Sequence, residues 1–284
     1  MKGEKIMNKN YIIDEITAEL GDVKVAFIEV EKNGVMKKAI QMQNKSHISH
    51  VFYYNPDDND DKIIDLVVDN YAEFANPNIN ADKLSDNFKN WDWVKTRVYP
   101  RLFNANKGNS VNDVANYVLA GDINVGFYIL LSSDKESDMT IKVRWDMLDK
   151  WGISLEVLTE TAKSNLNKKL FINSMMNVLF GGGRKEERSI DMSDVMTICT
   201  STNAANGAAA ILLLADLIDS GEIDDADYYI LPSSIHETIL LRDYNDGYKS
   251  MVKEVNASVL TPEDFLSDNV LMYDKATKSI KVVA

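Results

Sequence analysis

Two apolar runs, Tyr228–Leu231 and Ile235–Leu241, meet across the polar step Pro232-Ser233-Ser234, and no other stretch limits the fold as tightly. Both are short, rich in Tyr, Ile and Leu, and bounded by turn residues, which is the pattern of buried strands. A third run of this kind is Val195–Thr200, and between them Ala205–Asp219 is apolar almost all round, with Gly207, Ala208, Ala209 and Ala210 giving it a face without bulk. A helix without a polar face is buried, and small residues let a sheet approach it closely. The expectation is one sheet in the C-terminal third, with the three runs as core strands under that helix.

The remaining chain alternates between the two periodicities. Tyr11–Leu20 reads as a short helix, and Val23–Val30 and Val35–Met42 flank Asn33-Gly34, a dipeptide suited to the positive φ angles of a tight hairpin turn. Val51–Tyr54 is strand-like. The acidic run Asp57–Asp61 has Lys62 and Val68 where a calcium loop needs glycine and glutamate, so it reads as a helix N-terminus. Ile63, Ile64, Val67, Val68, Tyr71 and Phe74 then recur at helical spacing up to Asn76-Pro77, and Leu84, Phe88, Trp91 and Val94 mark a second helix. Thr96–Phe103 reads as a strand, with Pro100 calling for an edge position or a bulge, and Val111–Leu119 as a helix. Val125–Ser132 and Met139–Trp145 read as strands joined through Ser133–Asp138. Helical spacing from Asp146 breaks at Gly152 and resumes through Leu155, Leu158, Ala162 and Leu166, while a helix through Met251 and Val255 precedes a terminal hairpin, Val270–Tyr273 with Ser279–Val283. The fold class is α+β, with antiparallel or mixed sheets covered by helices in two closely packed lobes. A mobile N-terminus over residues 1–10, an N-terminal α/β lobe over 11–92 and a C-terminal core over 93–284 with a glycine-rich linker near 181–188 complete the organisation.

With 284 residues, 45% of them apolar, the chain can bury a substantial core. Its longest strongly apolar segment, Ala208–Leu214, is too short to span a bilayer, and Met1–Asn10 is basic without an apolar stretch behind it, so a cytoplasmic protein is expected. The lone Cys199 fits a reducing compartment. A net charge of -13 speaks against free nucleic acid as the main ligand, because phosphate binding needs clustered Lys and Arg, and favours a basic protein partner.

Few residues suggest chemistry. Ser233, Ser234, His236 and Glu237 crowd together and form the candidate binding group, with Ser234 and His236 as candidate catalytic residues, since a serine nucleophile needs a base beside it. If Ile235–Leu241 is a strand, Ser234, His236 and Thr238 share one face while Glu237 points to the other and cannot orient the imidazole. The alternative is a turn whose hydroxyls bond backbone amides. His47 and His50, with one cysteine and three histidines in the whole chain, do not complete a zinc site, and Asp224, Asp225 and Asp227 read as a solvated turn. No metal and no cofactor is expected. Arg97, Arg101, Lys142 and Arg144, near Trp91, Trp93, Tyr99 and Trp145, could stack single-stranded bases, but the overall charge favours a salt-bridged sheet surface.

The series Tyr228–Leu241, Met251–Asn256 and Phe265–Asp274 follows a spacing that resembles a Firmicutes family of domains of unknown function, family 5688. The resemblance extends to Trp145–Ile153 and Asn206–Ala210, and more loosely to Ser46–Asn55. It brings no established activity, and it implies a setting in plasmids, phages or conjugative elements, hence an accessory role. The expected function is a non-enzymatic cytoplasmic interaction protein of a mobile genetic element, an inhibitor of a host nucleic-acid-processing defence enzyme being one version. The alternatives are a hydrolase using Ser234 and His236, or a small-ligand-sensing domain.

Overall fold

A computed structural model describes residues 7–32, 34–43, 49–74, 86–107, 112–133, 138–180 and 187–283. The chain start at 1–6, Asn33, His47, Asn76-Pro77, Leu84, Val111, the centre of the Ser133–Asp138 connection and the glycine-rich stretch 181–186 lie outside these residues. The fold is α+β, and the chain divides into two compact units, Met1–Phe88 and Lys89–Ala284.

In the first unit, helix α1 (Lys9–Leu20) precedes strands β1 (Lys24–Lys32), β2 (Val35–Gln43) and β3 (Ser49–Tyr53), and helix α2 (Asp60–Phe74) follows. The strands form an antiparallel sheet in the order β1-β2-β3, with Lys32 opposite Val35 across a tight turn in which Gly34 has φ 79°. Asn59 caps α2 by accepting from the Lys62 amide at 2.7 Å, and Asp60 and Asp61 occupy its first turn, where carboxylates face the positive end of the helix. The apolar stripes of both helices close over the sheet: Ile12 and Ile16 meet Ile63 and Val67 above Ile40, Met42 and Phe52.

The second unit holds two sheets. After a short helix α3 (Trp91–Val94), capped by Asn90, come β4 (Val98–Asn104), β5 (Asn116–Ala120), β6 (Ile123–Ser133) and β7 (Asp138–Lys142). Long β6 pairs with β4 along one side and with β5 and then β7 along the other, so β4, with Pro100, is an edge strand. Where a helix was expected over Val111–Leu119, residues 112–119 are instead a turn, a bridge and a strand. Val114 pairs with Arg144, and Asn116–Ala120 turns back on Ile123 through Gly121 at φ 55°. The exposed Val118, 68% accessible, had supplied a false helical spacing.

Helices α4 (Trp145–Trp151) and α5 (Leu155–Asn167) are separated at Gly152, which caps α4 at φ 65° and donates its N–H to the Asp149 and Leu148 carbonyls. Then follow β8 (Leu170–Ser174), α6 (Met175–Phe180), β9 (Ser189–Ile190), β10 (Met196–Ser201), a 3-10 helix (Gly207–Leu213), α7 (Leu214–Asp219), β11 (Tyr228–Pro232), β12 (Thr238–Leu241), α8 (Gly247–Ser258), β13 (Leu271–Asp274) and β14 (Ser279–Val282). These strands build one seven-stranded sheet in the order β14-β13-β11-β12-β10-β8-β9, antiparallel except for β8 and β9. The three runs expected to share a sheet do so, and the terminal hairpin extends it.

Two local expectations change. The segment expected to be one helix from Ala205 to Asp219 is a 3-10 turn passing into α-helix. Gly207, Ala208, Ala209, Ala210 and Ile211 are all buried, packed against β10, β12, β4 and α5, so the tight segment is wedged between strands from both sheets. The strand expected from Ile235 begins only at Thr238, because Ile235 spends its backbone groups elsewhere: its N–H donates to the Asp264 carbonyl at 2.9 Å, and its carbonyl accepts from Ala208 at 3.3 Å. A second junction ties the sheets together. Asp122, in the turn before β6, accepts from Asn104, Ser267 and Asn269 at 2.7, 2.6 and 3.0 Å.

Candidate functional site

The loop Ser233–Glu237 joins the two central strands of the seven-stranded sheet and carries every residue of the candidate group. It closes on itself first. Ser234 N–H donates to the Glu237 carbonyl at 3.1 Å, and Ser234 Oγ accepts from His236 N–H at 3.0 Å, a hydroxyl standing in for a backbone acceptor two residues upstream. Ser234 is buried, and Ser233 and Glu237 are half-buried. The loop is then pinned from outside: Thr200 Oγ1 on β10 donates to the His236 carbonyl at 2.6 Å, beside the two bonds of Ile235.

The imidazole of His236 is held at both nitrogens. Nε2 lies 3.2 Å from Asp264 Oδ1, and Nδ1 lies 3.1 Å from the Ala204 carbonyl and 3.4 Å from the Asn206 N–H. Asp264 is itself oriented, since Thr261 Oγ1 donates to its Oδ2 at 2.6 Å and its N–H donates to the Thr261 carbonyl at 3.0 Å. With a proton on Nε2 toward Asp264, Nδ1 accepts from Asn206; with both nitrogens protonated, Nδ1 donates to Ala204. Each arrangement satisfies the ring within the protein.

Backbone conformation supports this clasp. Ala204 and Asn206 have φ of 57° and 53°, in the left-handed region that asparagine tolerates and alanine rarely occupies. These turns aim the Ala204 carbonyl and the Asn206 amide at the ring, and they deliver Gly207 to the strand. A Cβ on Gly207 would stand 2.5 Å from the His236 carbonyl and 2.1 Å from Thr200 Oγ1, so only glycine fits there.

Chemically, the structure brings His236 together with Asp264, not its ring with the Ser234 hydroxyl. Ser234 Oγ is engaged as an acceptor from the backbone, the reverse of the donation that a general base would draw from a nucleophile. Asp264, Ala204 and Asn206 were not found by sequence reasoning, because they lie 28, 32 and 30 positions from the histidine. A local signal did exist for the carboxylate: Thr261 and Asp264 have the threonine-to-acid spacing of a hydroxyl cap.

The other candidates are dispersed. His50 sits on β3, with its ring edge-on to Tyr71 at 5.7 Å and its pKa lowered by burial. Asp224 accepts from Arg242 at 2.6 Å, Asp227 accepts from the Lys275 N–H at 2.9 Å, and Asp225 has its carboxylate 3.7 Å from the Lys275 ammonium. Among the described residues no group of three or more His, Cys, Asp or Glu could hold a metal ion, and no helix is long and apolar enough to cross a membrane. Cys199 is buried in β10 with its thiol pKa pushed up to about 12 by desolvation, which holds it as an inert thiol. Of the basic group, Arg97 stacks over Trp93 at 4.4 Å, Arg144 pairs with Asp146 at 3.0 Å, and Arg101 lies over Phe103 at 5.6 Å.

One further surface was not foreseen. On the six-residue helix α6 no residue is buried; Met176, Leu179 and Phe180 are 57, 64 and 78% exposed, and nearby Val195 is 65% exposed. Two carboxylates fasten this helix at its start. Asp194 Oδ2 accepts from Ser174 Oγ at 2.9 Å and Asp191 Oδ2 accepts from Asn177 at 2.9 Å.

A family model described as a family of unknown function (DUF5688) matches residues 7–275. No curated protein and no solved structure matches the chain.

Proposed function

We propose the following role for this chain, which belongs to the DUF5688 family: it is a non-enzymatic interaction protein that occupies a basic surface of another protein. The observation that carries the reading is the outward apolar helix α6, with Met176, Leu179 and Phe180 exposed and the acids Asp191 and Asp194 at its base. Burying side chains of this size against a partner contributes about 1.5–3 kcal/mol each, enough for three anchors to dominate an interface. The acids and the net charge of -13 favour a partner whose rim is basic.

The cellular setting proposed with this role is the cytoplasm, in the service of a mobile genetic element, and a nucleic-acid-processing defence enzyme is the kind of basic protein it would block. The hydrolase reading with Ser234 and His236 stands second, since both imidazole nitrogens already have partners within the chain.

The test is capture of a partner from the native host with the wild-type chain and with Leu179→Asp and Phe180→Asp, followed by rate measurements across a salt series. The expected result is a defined protein captured by wild type, lost in both variants at unchanged melting temperature, with association slowed by salt and dissociation changed less. Capture undiminished in the variants, an association rate indifferent to salt, or recovery of nucleic acid alone would overturn the reading. Ester, amide and phosphoester hydrolysis lost in Ser234→Ala and His236→Ala at native stability would transfer it to the hydrolase.

A further inference from the structure

The four-stranded sheet turns one of its faces through Tyr99, Arg101 and Phe103 of β4, and the register sets these opposite Tyr128, Gly126 and Asn124 of β6. Gly126 leaves a notch in the middle of that face. A Cβ there would lie 2.9 Å from the Phe103 ring and at an ordinary 3.7 Å from Arg101 Nε, so the missing side chain makes room for the Phe103 ring, over which the Arg101 guanidinium lies. Arg101 Nε is fully enclosed there and has no hydrogen-bond partner. Among the described residues no carboxylate pairs with this guanidinium, and burial lowers its pKa from the ordinary arginine value.

A second orphan stands on the same face. Asn124 donates its amide to Asn116 Oδ1 at 2.8 Å, and Asn116 donates onward to the Val114 carbonyl at 2.8 Å, a chain that fixes Asn124 Oδ1 as an acceptor, buried and without a partner. Beyond the notch, Tyr99 and Tyr128 stack at 5.7 Å, the Lys169 ammonium lies 4.8 Å over the Tyr99 ring, and Lys142 is opposite Tyr128. The face thus combines a buried donor on a cation, a buried acceptor, two further cations and aromatic walls. An enclosed donor and acceptor left unmade are each destabilising, and a cation buried without an anion adds to this.

We propose that this face binds one small oxyanion that also bears a hydroxyl, a hydrogen phosphate or a singly protonated phosphomonoester, with Arg101 Nε donating to the anion and Asn124 Oδ1 accepting from the hydroxyl. The phosphate can be free or carried on a nucleoside. The stacked tyrosines are the surface against which a base would lie. The site is independent of the docking helix, and either reading can fail without the other.

The experiment uses the full chain, titrated with inorganic phosphate, sulfate and a nucleoside monophosphate at matched ionic strength, and read by chemical denaturation and calorimetry. Phosphate at ten times its dissociation constant is expected to lower the unfolding equilibrium constant about tenfold in wild type. Sulfate, which has no hydroxyl, is expected to act more weakly, and the nucleotide more strongly if the base stacks. Arg101→Met is expected to lose the response and, in phosphate-free buffer, to be at least as stable as wild type, because it removes an unpaired buried cation of similar length. Arg101→Lys, which keeps the charge without the Nε donor, is expected to lose most of the response while remaining folded. An equal response in wild type and both variants, or none in wild type to any of the three anions, would overturn the proposal and leave Arg101 as packing over Phe103.

Discussion

Replacing Gly207 by alanine tests the closest approach among the glycines described. The added methyl would lie 2.1 Å from Thr200 Oγ1, 2.5 Å from the His236 carbonyl and 2.7 Å from the Ser201 amide nitrogen. Two of these three are backbone atoms, which cannot swing aside as a side-chain tip can. Gly207 opens a helical segment without a positive φ, so local propensity alone favours alanine by about 0.5–1 kcal/mol. Against this stand about 1–3 kcal/mol of overpacking and about 1 kcal/mol for the Thr200 to His236 hydrogen bond that the methyl displaces. The net loss is about 1–3.5 kcal/mol, and the melting temperature is expected to fall by roughly 2–14 °C at about 2–4 °C per kcal/mol. Thermal and urea unfolding of Gly207→Ala, Thr200→Ala and the double variant decide the matter. The double variant should lose less than the sum of the singles, because removing Oγ1 relieves the shortest contact. Gly207→Ala at or above wild-type stability, or strict additivity in the cycle, would show that helix and strand are not held at this distance.

Ser234→Ala removes the acceptor of the His236 N–H and should destabilise by about 1 kcal/mol, measurable by urea unfolding; no loss would mean that water replaces the hydroxyl. Cys199 should resist thiol reagents in the native protein and react at the rate of global unfolding, and rapid labelling under native conditions would contradict its burial. Asp194 is held below the usual carboxylate range by the bonds from Ser174 and the Val195 amide, and Asp191 by those from Ser193. Folded pKa values below the unfolded value of about 3.9 mean that their support for α6 is complete above about pH 4 and is lost as the pH falls through the depressed values. The Met176 methyl resonance should therefore hold its folded position to below pH 4, and a transition centred higher would refute the assignment.

Strands β10, β11 and β12 were legible because their runs are rich in branched, aromatic and apolar residues and bounded by turn residues, and the first hairpin because Asn33-Gly34 names its own turn. The edge position of β4 is one of the two that Pro100 allowed, the other being a bulge. Leu170–Ser174 was not found, because a strand buried at every residue shows no alternation. Val111–Leu119 misled because apolar residues at spacings of three and four also occur by chance in a bridge followed by a short strand, while the decisive signal was the turn at Gly121-Asp122. At the loop the composition was readable and the geometry was not. Ile235 is a strand former, yet its amide and carbonyl are taken by Asp264 and Ala208, contacts that arise only after the chain has folded back. The partner of His236 was hidden for the same reason.

The hairpin of β11 and β12 sits in the middle of the seven-stranded sheet, and this favours an order of assembly. Its strands are joined by a short loop and can pair in microseconds, as can β13 with β14, whereas β10 has to find β12 across the intervening helices. Growth outward from these hairpins is the expected order. Destabilising changes at Ile230 or Leu240 should then slow folding, while those at the outer strands, such as Ile280 on β14, should chiefly speed unfolding. The loop that clasps His236 is then the turn of one of the two local hairpins from which the sheet is expected to grow.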